Sequence, residues 1–298
     1  MRILLFGCNG QVGWELQRSL APLGDVIALD RDSKDYAADF TRPHELAATV
    51  RAVRPDAIVN AAAHTAVDKA EAEPDLARTI NTEAPGVLAH EAAALNAWLV
   101  HYSTDYVFDG SGNQPWREDD PTGPLSVYGR SKLEGEQRVR ASGCRHLILR
   151  TSWVYAARGG NFARTMIELA SERDELQVVD DQVGAPTGAD MLADVTAYTL
   201  RRVMSEPGLG GTYHAVAAGE TSWHGYARAV VEWARAQGLA VRVAPDRIVA
   251  VPSTAYPLPA RRPLNSRLDT QRLQRTFGLT MPPWQPGVLR MLAEVHGL

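Results

Sequence analysis

Short apolar runs alternate with helical periodicity along the first half of the chain. Ile3–Phe6, Val26–Leu29, Ala57–Asn60, Trp98–Ser103 and His146–Arg150 are compact, mostly aliphatic runs bounded by polar or glycine positions. That profile predicts strands buried on both faces. Between them, Gln11–Leu20, His44–Val53, Thr79–Leu95 and Val127–Ala141 repeat apolar residues three and four apart, the spacing of one helical face. A β-α-β-α order predicts a doubly wound parallel sheet with helices on both sides.

After about Thr151 the rhythm loosens. Helical stretches at Phe162–Glu172, Ala189–Val203 and Ser222–Gln237 are separated by glycine- and proline-rich turns. The expected division is a dinucleotide-binding unit over 1–150 and a smaller mixed α/β substrate unit over 151–298, some of whose segments return to the first sheet. Pro245 to Pro263 is proline-dense, which excludes regular helix and central strand and predicts an ordered loop over a cleft.

The turn after the first strand reads Gly7-Cys8-Asn9-Gly10-Gln11-Val12-Gly13 and opens the first helix. Gly7 permits the tight turn, Gly10 lets a pyrophosphate approach the backbone, and Gly13 allows close helix–strand packing. Strand, glycine turn and helix in that order predict a Rossmann-type dinucleotide site. Asp30 ends the second strand, where an acid suits a ribose 2′-hydroxyl; Arg31 beside it suits a 2′-phosphate. NADH and NADPH therefore both remain open. Asp39-Phe40 fit beside the adenine, or equally as a solvent-facing acid and a core aromatic. Ala63, His64 and Thr65 end the third strand, where small and polar residues can meet ribose or phosphate.

Composition narrows the class. The 298 residues are 45% hydrophobic and 22% charged with a net charge of −4, so no basic field favours nucleic acid. No apolar run approaches a membrane span, and Met1–Phe6 is too short for a signal-peptide core. Two cysteines, Cys8 and Cys144, exclude a disulfide framework and fit a reducing cytoplasm.

Tyr128 and Lys132 lie four apart in Tyr128-Gly129-Arg130-Ser131-Lys132, one above the other on a helix. An ammonium beside a phenol favours phenolate, so Lys132 is expected to lower the Tyr128 pKa and make it a proton donor to an alkoxide. Ser103-Thr104-Asp105 ends the fourth strand, where open α/β sheets bind ligands. The Thr104 hydroxyl there suits the oxygen of a ketone under hydride attack.

With these residues the chain resembles the extended short-chain dehydrogenases/reductases. Further segments narrow the resemblance to the dTDP-4-dehydrorhamnose reductase family: the Asn60–Glu71, Ser103–Gly110 and Pro124–Glu136 segments, then Arg150–Tyr155, Asp181–Thr187 and Arg262–Leu268. The resemblance implies NAD(P)H-dependent reduction of the C4 ketone of a dTDP-6-deoxy-4-keto-hexose. Thr104, Tyr128 and Lys132 would be its catalytic trio. Thr104, Asp105 and Trp153 would contact the sugar, and Asn161 and Arg262 the nucleotide diphosphate. It further implies a homodimer that can share Mg²⁺ through acids such as Glu15 and Asp190. Another nucleotide-sugar reductase or epimerase, or a non-catalytic NADP-binding regulatory subunit, are the competing readings.

Overall fold

The computed structural model describes residues 1–298. Five strands, β1 (Arg2–Phe6), β2 (Asp25–Leu29), β3 (Ala57–Asn60), β4 (Trp98–Thr104) and β5 (Arg145–Thr151), fall within a residue of the apolar runs. They form one parallel sheet, closed at its far edge by a sixth strand, Gly211–His214, beside β5. The order from that edge is Gly211–His214, β5, β4, β3, β1, β2. Chain direction across the sheet reverses between β1 and β3, and a ligand crevice opens at the carboxyl ends of strands at such a point.

Successive side chains on a strand face opposite ways, so each strand feeds two cores. Ile3, Leu5, Val59, Val100 and Leu147 pack against α1 (Gln11–Leu20). Leu4, Phe6, Ile58, Leu99 and Ile148 pack against α2 (Pro43–Val53) on the other face. Two short helices follow β3, α3 (Val67–Ala72) and α4 (Pro74–Arg78), neither legible from periodicity. The helix expected over Thr79–Leu95 begins as a wide π-turn, Thr79–Glu83, and becomes α5 at Ala84–Leu95. Pro85 has no N–H to offer the Asn81 carbonyl, so regular hydrogen bonding cannot run through this point. The catalytic-helix candidate α6 (Val127–Ala141) lies against that turn, and a Cβ on its Gly135 would collide with the Asn81 carbonyl oxygen.

The second half contributes α7 (Phe162–Glu172), α8 (Ala189–Ser205), α9 (Trp223–Ala236), α10 (Gln271–Phe277) and α11 (Trp284–His296). A further core unites α7, α9 and α11 through Met166, Val230, Val231 and Leu292. Leu192 and Leu200 of α8 are instead buried in the first core beside Leu16 and Leu20. The proline-dense segment holds a strand after all. Ile248–Val251 pairs in parallel with Leu176–Val179, between prolines, where their missing N–H groups cost the ladder nothing.

Candidate active site

Gly7 leaves β1 with φ +81°, and a Cβ there would stand 2.7 Å from the Ala62 nitrogen on the neighbouring strand end. Gly13 has no room for a Cβ against the Gly7 carbonyl oxygen. Two of the three glycines are thus required by close backbone approach, and a Cβ on Gly10 would stand 3.3 Å from the Gly7 carbonyl oxygen, a tight but milder contact. The N-terminus of α1 has Gly10 as its cap, no capping side chain and no acid in its first turn. Its free N–H groups face a cavity of about 590 Å³ lined also by Val12, Ala63 and Thr65. A second cavity of about 410 Å³ shares Asn9, Gly10 and Ala61–Ala63 with the first. A glycine cradle at the switch point, unsatisfied donors and two joined cavities fit a dinucleotide.

The smaller cavity is lined by Asp30, Arg31, Asp39 and Phe40, which places all four at one end of the cleft. Asp30 caps its own turn: Oδ1 accepts from the Asp32 N–H at 3.0 Å and the Ser33 hydroxyl at 3.1 Å, and the Asn9 amide donates to Oδ2. Arg31 is 80% exposed and pairs loosely with Asp32 at 3.9 Å. Asp39 accepts from Thr41, while Phe40 is buried edge-on against Phe6 at 5.5 Å.

His64 departs from expectation. Asn81 clamps its backbone, accepting from its N–H at 2.8 Å and donating to its carbonyl at 3.0 Å. Its ring lies 3.6 Å from Glu73, and it lines neither cavity. Asn81 also donates to the Ser131 hydroxyl on α6 at 3.0 Å, tying the β3 end to the helix that carries Tyr128 and Lys132. A single asparagine in a helical run carried no sequence signal for this role.

At the other end of the cleft stand Tyr128 and Lys132. Ser126 caps α6, accepting from the Gly129 N–H at 3.1 Å, and a Cβ on Gly129 would strike the Tyr106 carbonyl. The Tyr128 ring rests edge-on against Tyr106 at 5.4 Å, with Thr104 within hydrogen-bonding reach of its phenol. Thr104 donates to Asp105 at 3.1 Å and accepts from the Tyr106 N–H at 3.2 Å. Burial raises the Asp105 carboxyl to about 6, and its Oδ2 has no partner, leaving a free acceptor beside Thr104.

The expected lowering of the Tyr128 pKa is corrected. Burial pushes it up to about 12, with the Thr104 hydroxyl opposing. Lys132 sends its ammonium elsewhere: Nζ donates to the Tyr102 carbonyl at 2.6 Å and lies 3.4 Å from His101 Nε2. Burial lowers Lys132 to about 8, with Glu136 opposing. His101 is buried, and its pKa falls well below the ordinary value through burial and then the Lys132 charge. The Ala62 N–H occupies Asn60 Oδ1 at 3.0 Å, so the Asn60 amide nitrogen faces His101 Nδ1 at 3.1 Å as a donor. A phenol at about 12 is protonated near neutrality, the state a general acid needs.

Glu136 stands one turn beyond Lys132 on α6, fully buried, and meets Arg150 of β5 in a two-pronged pair at 2.8 and 2.7 Å. This pair beneath the catalytic helix was not read from the sequence; an acid four residues after a lysine was its only trace.

Three expected substrate contacts are otherwise engaged. Trp153, at φ +49°, stacks on Trp223 with centroids 3.7 Å apart and lies over Gly184. Asn161 caps α7, accepting from the Arg164 N–H at 3.1 Å and donating to the Ala156 carbonyl at 2.7 Å, which commits its amide oxygen and one of its two amide hydrogens. Arg262 grips Asp68 with both prongs, at 3.1 and 2.6 Å, while still lining a cavity of about 450 Å³ with Asp109, Gln182 and Arg261.

The residues of one chain do not fit the divalent ion. Glu15 and Asp190 do line one small cavity, but Arg18 stands 3.6 Å from Glu15 and Arg290 2.9 Å from Asp190. No three His, Cys, Asp or Glu side chains gather to hold a metal. No helix is long and apolar enough to cross a membrane, and both cysteines are buried and free.

Comparison with known proteins agrees with this geometry. A family model described as RmlD substrate binding domain matches residues 1–296. A dTDP-4-dehydrorhamnose reductase of Escherichia coli K12 is 56% identical over 295 residues, 99% of this chain and 98% of that one. A solved dTDP-4-dehydrorhamnose reductase from Clostridium acetobutylicum superposes with a TM-score of 0.87 at 37% identity, covering 99% of this chain and all of the other. One from Bacillus anthracis, in complex with NADP, superposes at 0.86 and 34% identity, covering 98% and 99%.

Proposed function

Because the chain belongs to the RmlD substrate binding domain family, we propose that its cleft carries out the reduction for which its relatives are named. The protein is an NAD(P)H-dependent dTDP-4-dehydrorhamnose reductase that converts the C4 ketone of dTDP-4-dehydro-6-deoxy-L-mannose to dTDP-L-rhamnose. The observation that carries the assignment of residues is Tyr128 and Lys132 on the wall of a glycine-cradled cleft, with the buried Thr104 hydroxyl behind the wall acting on the Tyr128 phenol.

The bound dinucleotide supplies hydride. Tyr128 directs its hydroxyl at the ketone oxygen, and Thr104 joins it by turning its one O–H from Asp105, which polarises the carbonyl and stabilises charge as it gathers there. Tyr128 then passes its proton to that oxygen. An alkoxide is far more basic than a phenol near 12, so the transfer runs downhill without Lys132 lowering the phenol first. Lys132 is left to hold the nicotinamide ribose, with N–H donors to spare beyond the one given to the Tyr102 carbonyl. Asp105, buried behind Thr104, orients the Thr104 hydroxyl. The nucleotide end belongs to the cavity bounded by Asp109, Gln182 and Arg261, in the unit built largely from residues 151–298.

The deciding assay follows reduced nicotinamide consumption with dTDP-4-keto-6-deoxyglucose, with and without a 3,5-epimerase. Consumption that requires the epimerase supports this substrate. Consumption without it means another 6-deoxysugar, and cofactor binding without turnover means a regulatory subunit.

Arg31→Ala tests the adenosine end. Loss of a charge-assisted contact to a 2′-phosphate should lower kcat/KM for NADPH roughly tenfold or more and leave NADH unaffected. An unchanged NADPH/NADH ratio would remove Arg31 from cofactor choice.

A further inference from the structure

The loop between Tyr155 and α7 passes over the first turn of α1. Gln11 donates to the Gly160 carbonyl at 3.1 Å, bridging the two. The loop is ordered by its own contacts: Asn161 donates to the Ala156 carbonyl at 2.7 Å, and Arg164 to those of Ala157 and Gly159 at 3.1 and 2.8 Å. It carries Arg158 to the wall of the larger cavity, which Gly10 and Val12 also line.

Only two cations line that cavity, Lys132 and Arg158, and no carboxylate does. Lys132 is committed to the catalytic end. Arg158 makes no ion pair, and its guanidinium rests over the Trp14 ring, 3.9 Å from the centroid. Trp14 is itself 45% exposed on α1, one turn past Gly10, whose carbonyl accepts from the Trp14 N–H at 2.8 Å. Its indole is therefore a rest that keeps the charge over the glycine turn without neutralising it. The charge reaches the turn: the Cys8 thiol, raised chiefly by burial, is drawn the other way by Arg158.

A dinucleotide brings two negative charges to this place. A helix N-terminus offers roughly half a positive charge, which leaves most of the pyrophosphate uncompensated. A guanidinium suits it better than any other side chain, since its planar donors match two phosphate oxygens at once. We propose that Arg158 is a cofactor-binding residue, pairing with the pyrophosphate above the Gly7–Gly13 turn, beside which Trp14 holds it. The assignment rests on the dinucleotide reading of the cleft.

The test is direct binding of NADH and NADPH by calorimetry, in wild-type protein, Arg158→Gln, Arg158→Lys and Arg31→Ala. Arg158→Gln should weaken both cofactors about tenfold and by the same factor, because the pyrophosphate is common to them. Its affinity should also fall less steeply with added salt than the wild type's. Arg158→Lys, which keeps the charge, should recover part of the loss, whereas Arg31→Ala should affect NADPH alone. Affinity indifferent to Arg158→Gln overturns the assignment, and a loss confined to NADPH moves Arg158 to the 2′-phosphate and overturns it equally. Wild-type protein that binds neither cofactor overturns the dinucleotide reading itself, a result distinct from either.

Discussion

Tyr128→Phe should lower the rate of ketone reduction by roughly 10²–10⁴-fold, the usual contribution of a positioned general acid, with cofactor affinity changed by about twofold or less. The substitution removes only the phenolic oxygen. The ring still packs edge-on against Tyr106, and α6 keeps its Ser126 cap, so the helix and Lys132 stay in place. What disappears is the proton and one of two hydroxyl groups aimed at the ketone oxygen. Single-turnover mixing with pre-bound NADPH isolates this step from product release, and calorimetry supplies the affinity. Turnover near the wild-type rate would transfer the proton role to Thr104 or water. A loss divided equally between rate and cofactor affinity would mean that the phenol mainly binds.

The largest stability effect should come from Glu136→Gln. Arg150 is buried in β5 and its guanidinium spends two prongs on Glu136, with a further bond to the Glu118 carbonyl at 3.1 Å. The amide is nearly the carboxylate's shape, so the change leaves a buried cation without its counter-charge. Removing one partner of such a pair costs about 3–5 kcal/mol. A fall in the urea midpoint with an unchanged slope would register it; a loss below about 1 kcal/mol would mean that the pair only offsets its own desolvation. Replacing both residues together by Leu and Met should recover much of the loss, since no charge is then stranded.

The same pair sets an acid limit. Burial alone would raise the Glu136 pKa, but Arg150, helped by Ser103 and Arg140, outweighs it and holds the carboxyl below its ordinary value. A carboxyl more acidic in the folded than in the unfolded chain stabilises above the unfolded value, and that stability is lost as pH falls through the folded one. Wild-type stability should therefore decline from about pH 4.5 downward, more steeply than that of Glu136→Gln. Parallel declines would place the acid sensitivity in other carboxylates.

The parts of this protein that announce themselves in sequence are those whose cause is local. Alternation and run length located β1 to β5, because a strand buried on both faces needs apolar residues at every position whatever its neighbours are. The glycine turn was legible for the same reason: a positive φ at Gly7 and a helix start at Gly10 are properties of a few consecutive residues. Tyr128 and Lys132 share a face through helical geometry alone. The π-turn at Thr79–Glu83 escaped because it depends on how α6 lies against it as well as on Pro85.

Distant pairing decided the rest. Gly211–His214 reads as a weak run after two glycines and becomes a strand because β5 offers an open edge. Arg262 is claimed by Asp68, Asn161 by the start of α7, and the His64 backbone by Asn81. Each of these groups has the chemistry for a ligand, and a sequence cannot say whether another group of the fold already holds it. Lys132 shows the difference most directly: sequence determined that it stacks with Tyr128, since that follows from 3.6 residues per turn. Only the folded protein decided that its ammonium turns to the Tyr102 carbonyl and that burial, rather than the lysine, controls the phenol. Desolvation and long-range hydrogen bonds depend on what surrounds a group in space, and that surrounding exists only once the chain has folded.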